Sequence, residues 1–441
     1  MDERLHIIGG NPLRGHVKIS GAKNAALAIM AGAILAEDEV LLDNIPNLTD
    51  VQVMSTVLNS LGVNTKFSNN QLLIDSRNIN NYKAPYELVT KLRASFFILG
   101  PLVARSRQAI VPLPGGCSIG SRPVDLHLKG LQALGAKYKI EHGNVIVSAP
   151  KLEGTSIYLD YPSVGATENI MMAATLAEGT TIIDNAAQEP EIKDLANFLT
   201  SIGAKIRGAG TDTIIVEGVE KLNYSSTYSI MPDRIEAGTF MIAAASNGGN
   251  VIIDDVNPEI LQSVISKLRE CGVSVEIIDK NKIRVRNGKP IKPVDIKTLP
   301  YPGFPTDLQA QITSLLTTSI GTSVITETVF ENRFLHADEL RRMGAQIRIE
   351  GNCAIIRGIE KLSGAPVRAT DLRAGAALVI AGLKAEGETI ITKLNHIDRG
   401  YENFEEKLSQ LGAKIKRISI KTESNNSLSS RKRELVTASN N

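Results

Sequence analysis

Six stretches of this chain carry an amphipathic run to a glycine and pass at once into a strand-like run: LNSLGVNTKF, LQALGAKYKI, FLTSIGAKIR, LRECGVSVEI, LRRMGAQIRI and LSQLGAKIKR. The glycines are Gly62, Gly135, Gly203, Gly272, Gly344 and Gly412, so successive spacings are 73, 68, 69, 72 and 68 residues. Steps this even make the chain an array of one repeated unit. Glycine suits the junction because the residue just past a helix end often takes positive φ.

The same parts recur around each junction. A helix of small residues comes first, as in AKNAALAIMAGAILA, GATENIMMAATLA, EAGTFMIAAA and RAGAALVIAGL. A short strand follows, such as TTIIDNA, and then the amphipathic helix. In NPEILQSVISKLRECG, Asn257 is the expected N-cap and Pro258 the first helical residue. Two more strands close the unit, which predicts an α/β chain of six βαβαββ repeats. The first helix of each unit has no polar face, so it should be buried all round. Six such helices suggest two bundles of three, each wrapped by sheet. Residues 422–441 break the pattern with polar and charged residues and read as a flexible tail.

Composition narrows the function. The 441 residues have a net charge of +2 and are 43% apolar and 22% charged, which gives no reason to expect a nucleic-acid or membrane partner. No apolar run is long enough for a bilayer and no leader-like segment precedes the first strand, so a cytoplasmic protein is expected. The three cysteines, Cys117, Cys271 and Cys353, form no CxxC pair, and the six histidines lack ligand spacing. Neither a disulfide framework nor a structural metal is expected. Cys271 and Cys353 fall on helix and strand patterns and read as buried, inert thiols. Cys117 instead sits in VPLPGGCSIGSRP, a turn-rich loop with Gly115 and Gly116 beside it.

Polar residues gather where the apolar helices begin. They are Lys23 and Asn24; Arg93; Ser163, Gly165 and Thr167; Arg234 and Glu236; Asp307; and Asp371 and Arg373. The second helices add Arg122, Asp398 and Arg399. Singly, an aspartate at a helix start is an ordinary cap and a lone basic residue an ordinary surface charge. Jointly, helix N-termini and basic side chains at equivalent points of several repeats make an anion-seeking cleft. Arginine forks suit phosphate and carboxylate, so the expected substrates carry both.

The motifs SGAKNAAL, LRASFFILGPL, PGGCSIGSRPVDLH, YPGFPTDLQAQ, TVFENRF, ATDLRAGAALVIAGL and HIDRGYENFEEKL resemble those of the UDP-N-acetylglucosamine enolpyruvyl transferases, within the 5-enolpyruvylshikimate-3-phosphate synthase superfamily. The resemblance implies a two-domain inside-out α/β barrel with three repeats per domain. One domain would be 22–231, the other 1–21 plus 232–421. It implies transfer of enolpyruvyl from phosphoenolpyruvate to the 3′-hydroxyl of UDP-N-acetylglucosamine, by addition and elimination, with no cofactor. It also implies a monomer or weak homo-oligomer, and inactivation by fosfomycin.

Site residues carry over by the same resemblance. Lys23, Asn24, Arg122 and Arg399 match phosphoenolpyruvate-binding positions. Cys117 matches the proton donor, Asp307 the residue that holds the sugar hydroxyl and takes its proton, and Asp371 a further acid/base residue. Arg93, Arg122, Pro123, Val124, Asp125, Leu126, Ser163, Val164, Gly165 and Val329 match UDP-sugar contacts. Many relatives have a lysine before SVGAT, where this chain has Tyr161 and Pro162. Two other readings stand beside this one: transfer to shikimate 3-phosphate, and a non-catalytic UDP-sugar sensor.

Overall fold

The structure is a computed structural model that describes residues 2–114, 124–223 and 227–420. Gly115, Gly116, Cys117, Arg122, Pro123 and the 422–441 tail lie outside the described residues.

The third unit shows the plan. Strand Ser156–Tyr158 leads to helix Val164–Ala174, strand Thr180–Asp184, helix Pro190–Ser201, and strands Lys205–Arg207 and Thr213–Glu217. The first two strands pair in parallel, with Ile157 opposite Ile183. Thr213–Glu217 then lies antiparallel to Thr180–Asp184, with Ile215 opposite Ile182. Alternation along Thr180–Asp184 turns Thr181 and Ile183 inward, as a half-buried strand requires. All six junction glycines hold the expected left-handed backbone, with φ between 87° and 108°. Asn257 caps its helix as expected and accepts Glu259 N–H at 2.9 Å, although the first turn, Pro258–Leu261, is 3-10.

Six sheets form among the described residues, one per repeat. The six βαβαββ units are not contiguous in sequence at three points. Strand Arg14–Lys18, just before helix Lys23–Gly32, pairs instead with Asn250–Asp254 of the fourth unit. Strand Tyr228–Ser229, just before helix Arg234–Ser246, pairs with Glu39–Asp43 of the first unit. The two units have thus exchanged their leading strands. In the sixth unit, Asp2–Ile8 lies between Glu388–Thr392 and Lys414–Ile420, so the start of the chain supplies that sheet's missing strand. The leading strand of the second unit shrinks to one bridge, Lys83 to Ile110. Such changes fit the repeat because the swapped strands meet equivalent edges.

The exchange divides the apolar core in two. One cluster runs from Ala22 to Ile230, and the other joins Leu5–Ile19 to Ile235–Ala413. Each holds three of the small-residue helices, and every residue of Arg234–Ser246 is buried. Small residues let backbones meet: a Cβ on Gly100 would lie 2.3 Å from the Asn169 carbonyl oxygen. The chain passes between the clusters at two antiparallel segments, where Gly21 bridges Pro232. Ala22 N–H donates to the Met231 carbonyl at 2.7 Å, and Asp233 N–H to the Ser20 carbonyl at 2.9 Å. Asp233 then caps two helices. Its Oδ1 accepts from Ile235 and Glu236 N–H at 2.7 and 3.0 Å, and its Oδ2 accepts from Lys23 N–H at 3.2 Å.

Cys271 is fully buried, and desolvation pushes its thiol up to about 12. Cys353 departs from the expected burial. It is on strand Cys353–Arg357 but part-exposed, with Sγ 3.4 Å from Thr326 Oγ1. No helix among the described residues is long and apolar enough to cross a membrane.

Removing the double cap should weaken both bodies. Asp233→Ala is expected to cost about 1–3 kcal/mol in urea unfolding, more than Ser163→Ala, which loses one longer cap bond. Equal, negligible losses would show that the crossover does not depend on Asp233.

Candidate active site

The N-terminal ends of the buried helices bring charge to the seam between the two clusters. Lys23 opens helix Lys23–Gly32, and its Nζ lies 3.4 Å from Asp50 Oδ2. Asp50 is buried in the first turn of helix Thr49–Ser60, and its Oδ1 accepts from Arg399 Nε at 2.7 Å. Lys23 and Asp50 belong to the first half and Arg399 to the second, so this triad crosses the seam. Asn24 is exposed beside Lys23.

Asp307 forms the second focus. It sits in the 3-10 turn Thr306–Leu308 and caps no helix. Arg333 Nη2 donates to its Oδ1 at 2.7 Å, and Arg373 Nη2 to its Oδ2 at 2.8 Å. Burial would raise its pKa, but Arg373, Arg333 and Lys23 together hold it well below the usual carboxylate range. The pKa of Lys23 falls too, by a different balance. Burial lowers its pKa and Arg373 and Arg399 add to this, while Asp50 and Asp307 resist. The two foci therefore feel each other, and Lys23, Arg333, Arg373 and Arg399 outnumber the carboxylates they pair with. A phosphate or carboxylate entering here would meet a preformed excess of positive charge.

Asp371 is the N-cap of helix Leu372–Lys384, with Oδ1 accepting Arg373 and Ala374 N–H at 2.9 and 3.1 Å. The modest capping reading thus holds for Asp371 and not for Asp307. Val329 joins through Glu327. Glu327 Oε1 accepts from Val329 N–H and from Thr298 Oγ1 at 2.8 Å each, and Oε2 accepts from Thr306 Oγ1 at 2.9 Å. Glu327 thereby ties the Val329 loop to the turn that presents Asp307.

A second neighbourhood lies in the first half. Val124, half-buried, precedes helix Asp125–Ala133, with Asp125 exposed and Leu126 packed on the core. Ser163 caps helix Val164–Ala174 by accepting Ala166 N–H at 3.4 Å. Gly165 faces His127, whose ring carbon would lie 3.0 Å from a Cβ placed there. Asn169 Nδ2 contacts His127 Nδ1 at 2.8 Å, and Phe96 meets the ring edge-on at 5.2 Å. Since Asn169 Nδ2 is a donor, His127 Nδ1 accepts and the ring proton rests on Nε2. Burial, helped by the charge of nearby Arg93, lowers the His127 pKa to about 3. Arg93 begins the 3-10 turn Arg93–Ile98.

Of the other polar residues at helix starts, Arg234 reaches across the seam and the rest find partners within their own half. Arg234 Nε pairs with Glu191 Oε1 at 2.9 Å, both buried, and buried Glu236 pairs with part-buried Lys407 Nζ at 2.7 Å. Asp398 pairs with Arg417 at 2.6 Å. Thr167 Oγ1 accepts Ala187 N–H at 3.1 Å. Tyr161 is exposed, its phenol pushed up by burial and by the charges of Glu189 and Glu327. Asp50, Arg333, Glu327 and His127 were not singled out from sequence, although ENRF and RPVDLH contain two of them.

A sequence profile described as EPSP synthase (3-phosphoshikimate 1-carboxyvinyltransferase) matches residues 7–408. The chain belongs to this family. Among curated members, UDP-N-acetylglucosamine 1-carboxyvinyltransferase 2 of Carboxydothermus hydrogenoformans is 59% identical over 95% of this chain and all of its own length. The UDP-N-acetylglucosamine 1-carboxyvinyltransferase of Gloeobacter violaceus is 58% identical over 94% of this chain and 91% of its own. Among solved structures, the enolpyruvyl transferase NikO from Streptomyces tendae superposes with a TM-score of 0.86 at 26% identity, covering 95% of this chain and 100% of NikO. EPSP synthase from Acinetobacter baumannii gives a TM-score of 0.73 at 19% identity over the same shares, a likeness of fold. The chain thus shares the mixed α/β fold of these enolpyruvyl transferase structures.

His127 makes a pH signature. Its pKa is about 3 when folded against about 6.5 when unfolded, so the unfolded chain takes up the proton first. The histidine therefore contributes a loss of stability that grows as pH falls from 6.5 and is complete below pH 3. His127→Gln should flatten that part of the stability profile. A His127 ring signal titrating near pH 6.5 in NMR would contradict the buried, neutral assignment.

Proposed function

We propose that this protein is the enzyme that transfers enolpyruvyl from phosphoenolpyruvate to the 3′-hydroxyl of UDP-N-acetylglucosamine, releasing phosphate, in the first committed step of peptidoglycan synthesis. The observation that carries this reading is identity of 56–59% with curated UDP-N-acetylglucosamine 1-carboxyvinyltransferases over almost the entire chain. The surplus of cations around Asp50 and Asp307 supports it, because both reactants are anionic.

On this reading, Lys23, Asn24, Arg122 and Arg399 hold phosphoenolpyruvate, and Asp307 receives the sugar hydroxyl. Protonation at C3 by Cys117 and attack of the hydroxyl oxygen at C2 give a tetrahedral adduct. Loss of a C3 proton and cleavage of the C2–O bond to phosphate restore the double bond and release phosphate. Fixed cations that bind developing charge more strongly than the ground state lower both barriers. Asp307 between two guanidinium groups is a weak base. Its basicity rises when an anionic substrate draws Arg333 or Arg373 away, so proton removal waits for a filled site. Arg93, Val124, Asp125, Leu126, Ser163, Val164, Gly165 and Val329 line the UDP-sugar side, with Arg122 and Pro123. Asp371 acts near the reacting carbons while capping its helix.

We also read 22–231 and 1–21 plus 232–421 as two domains of a cytoplasmic monomer or weak homo-oligomer. A reading as a shikimate 3-phosphate enzyme draws only on the family profile and a distant likeness of fold.

Purified protein should release phosphate when given phosphoenolpyruvate and UDP-N-acetylglucosamine together, and not with shikimate 3-phosphate as acceptor. The reverse pattern would overturn the reading, and tight UDP-sugar binding without turnover would make the protein a sensor. Asp307→Asn is expected to lower kcat by roughly 10²–10⁴. Cys117→Ser should abolish covalent labelling by fosfomycin in intact-mass spectra, and persistent labelling would remove Cys117 from the mechanism.

A further inference from the structure

One buried titratable side chain in the second half takes no part in the chemistry above. Tyr401 is 3% exposed, and its ring stacks on Phe404 with centroids 4.7 Å apart. Three helix-borne partners surround its hydroxyl. Thr239 Oγ1 is at 2.9 Å, Gln311 Nε2 at 3.1 Å and Arg373 Nη1 at 3.3 Å. They come from helices Arg234–Ser246, Gln309–Leu316 and Leu372–Lys384, which are the three buried helices of the second half.

Proton counting fixes the directions. Thr239 has one hydroxyl proton, and it goes to the Ile235 carbonyl at 2.8 Å. The phenol must then donate to Thr239 Oγ1. Its oxygen is left as the acceptor for Arg373 and Gln311. Arg373 Nη2 at the same time donates to Asp307 Oδ2 at 2.8 Å. The guanidinium is thus held at one corner by a phenol that cannot turn and presents the other to the site. Gln311 Nε2 has two protons and three acceptors in reach, the Asp307 backbone carbonyl at 2.9 Å, the phenol at 3.1 Å and Thr239 Oγ1 at 3.2 Å, and its two shortest contacts repeat the pattern.

We propose that Tyr401 is a positioning residue that fixes the pose of Arg373, and through Gln311 the backbone of Asp307, from beneath the reacting centre. This rests on the enolpyruvyl transfer reading for its kinetic consequence but not for its geometry. Arg373 must either brace Asp307 or turn to a substrate anion, and a hinge at Nη1 limits it to those two poses. A guanidinium without that hinge would spend more time in unproductive ones.

Tyr401→Phe keeps the ring and removes the hydroxyl. It should lower kcat by about tenfold to a hundredfold, the range for one hydrogen bond to a charged group, with KM for the UDP-sugar changed less than about threefold. In an Arg373→Lys background the same change should cost less than about threefold, because lysine cannot bridge phenol and carboxylate with two corners. Equal losses in the two backgrounds would make Tyr401 a packing residue and overturn the proposal, as would an unaltered kcat. If Y401F does not fold, Thr239→Val removes the acceptor of the phenol proton and should lower kcat in the same direction. An unaltered kcat in that variant overturns the proposal equally. NMR of the Arg373 guanidinium separates this from a failure of the assigned reaction. Distinct Nη signals in the native protein should merge in Y401F whether or not the protein turns over that substrate pair, and signals that stay distinct would overturn the proposal.

Discussion

The carboxylate of Asp233 holds together what the chain would otherwise keep apart. It accepts from the first turn of its own helix and from the first N–H of helix Lys23–Gly32 in the other half. Both helices start at the crossover, where two antiparallel segments swap the leading strands of their units. Orphan N–H groups at a helix start need an acceptor. Here one side chain supplies it for two helices, so the N-termini are drawn to the same point. Lys23, Arg234 and, behind them, Arg373 are close because of that shared cap.

Bringing so many ions to a buried seam is costly unless each finds a partner. The partners are divided among the elements. Asp50 serves Lys23 and Arg399, Asp307 serves Arg333 and Arg373, and Glu191 serves Arg234. Most of these pairs join segments distant in sequence, and Asp50–Arg399 and Glu191–Arg234 join the two halves. Lys23, Arg234, Arg333 and Arg373 are thus largely desolvated and aimed before any reactant arrives, while Arg399 keeps part of its hydration. This is the condition under which charge stabilises a transition state without reorganising first. Both pKa values fall in the same crowding, that of Lys23 chiefly through burial and that of Asp307 because its cationic neighbours outweigh burial.

What could be read from the chain was local. The six glycines sit at helix ends with left-handed φ because that demand arises within one turn of backbone. Asn257 and the burial of the alanine-rich helices were legible for the same reason. The strand exchange was not. Arg14–Lys18 and Tyr228–Ser229 each precede a helix of the same type, and either could pair with either neighbouring strand. Asp50, Glu327 and Tyr401 look like ordinary polar residues until other repeats supply their partners. Lys23, Asp307 and Arg399 could be marked as candidates because motif and helix position coincided. Asp371, marked by the same signals, proves to cap its helix. Cys353 showed that a strand pattern tells which residues alternate and not how deeply a given one lies.

The sixth sheet ties the order of synthesis to the order of folding. Strand Asp2–Ile8 is made long before both its neighbours, Glu388–Thr392 and Lys414–Ile420. At ribosomal rates of about 5–20 residues per second, its two edges stay without partners for roughly 20–80 s. The cluster from Ala22 to Ile230 can condense meanwhile, as the strand that completes its sheet, Tyr228–Ser229, emerges midway. The second half instead closes like a ring, on a segment held in reserve throughout translation. Its nascent form therefore offers open strand edges to chaperones and to other chains for most of its time on the ribosome.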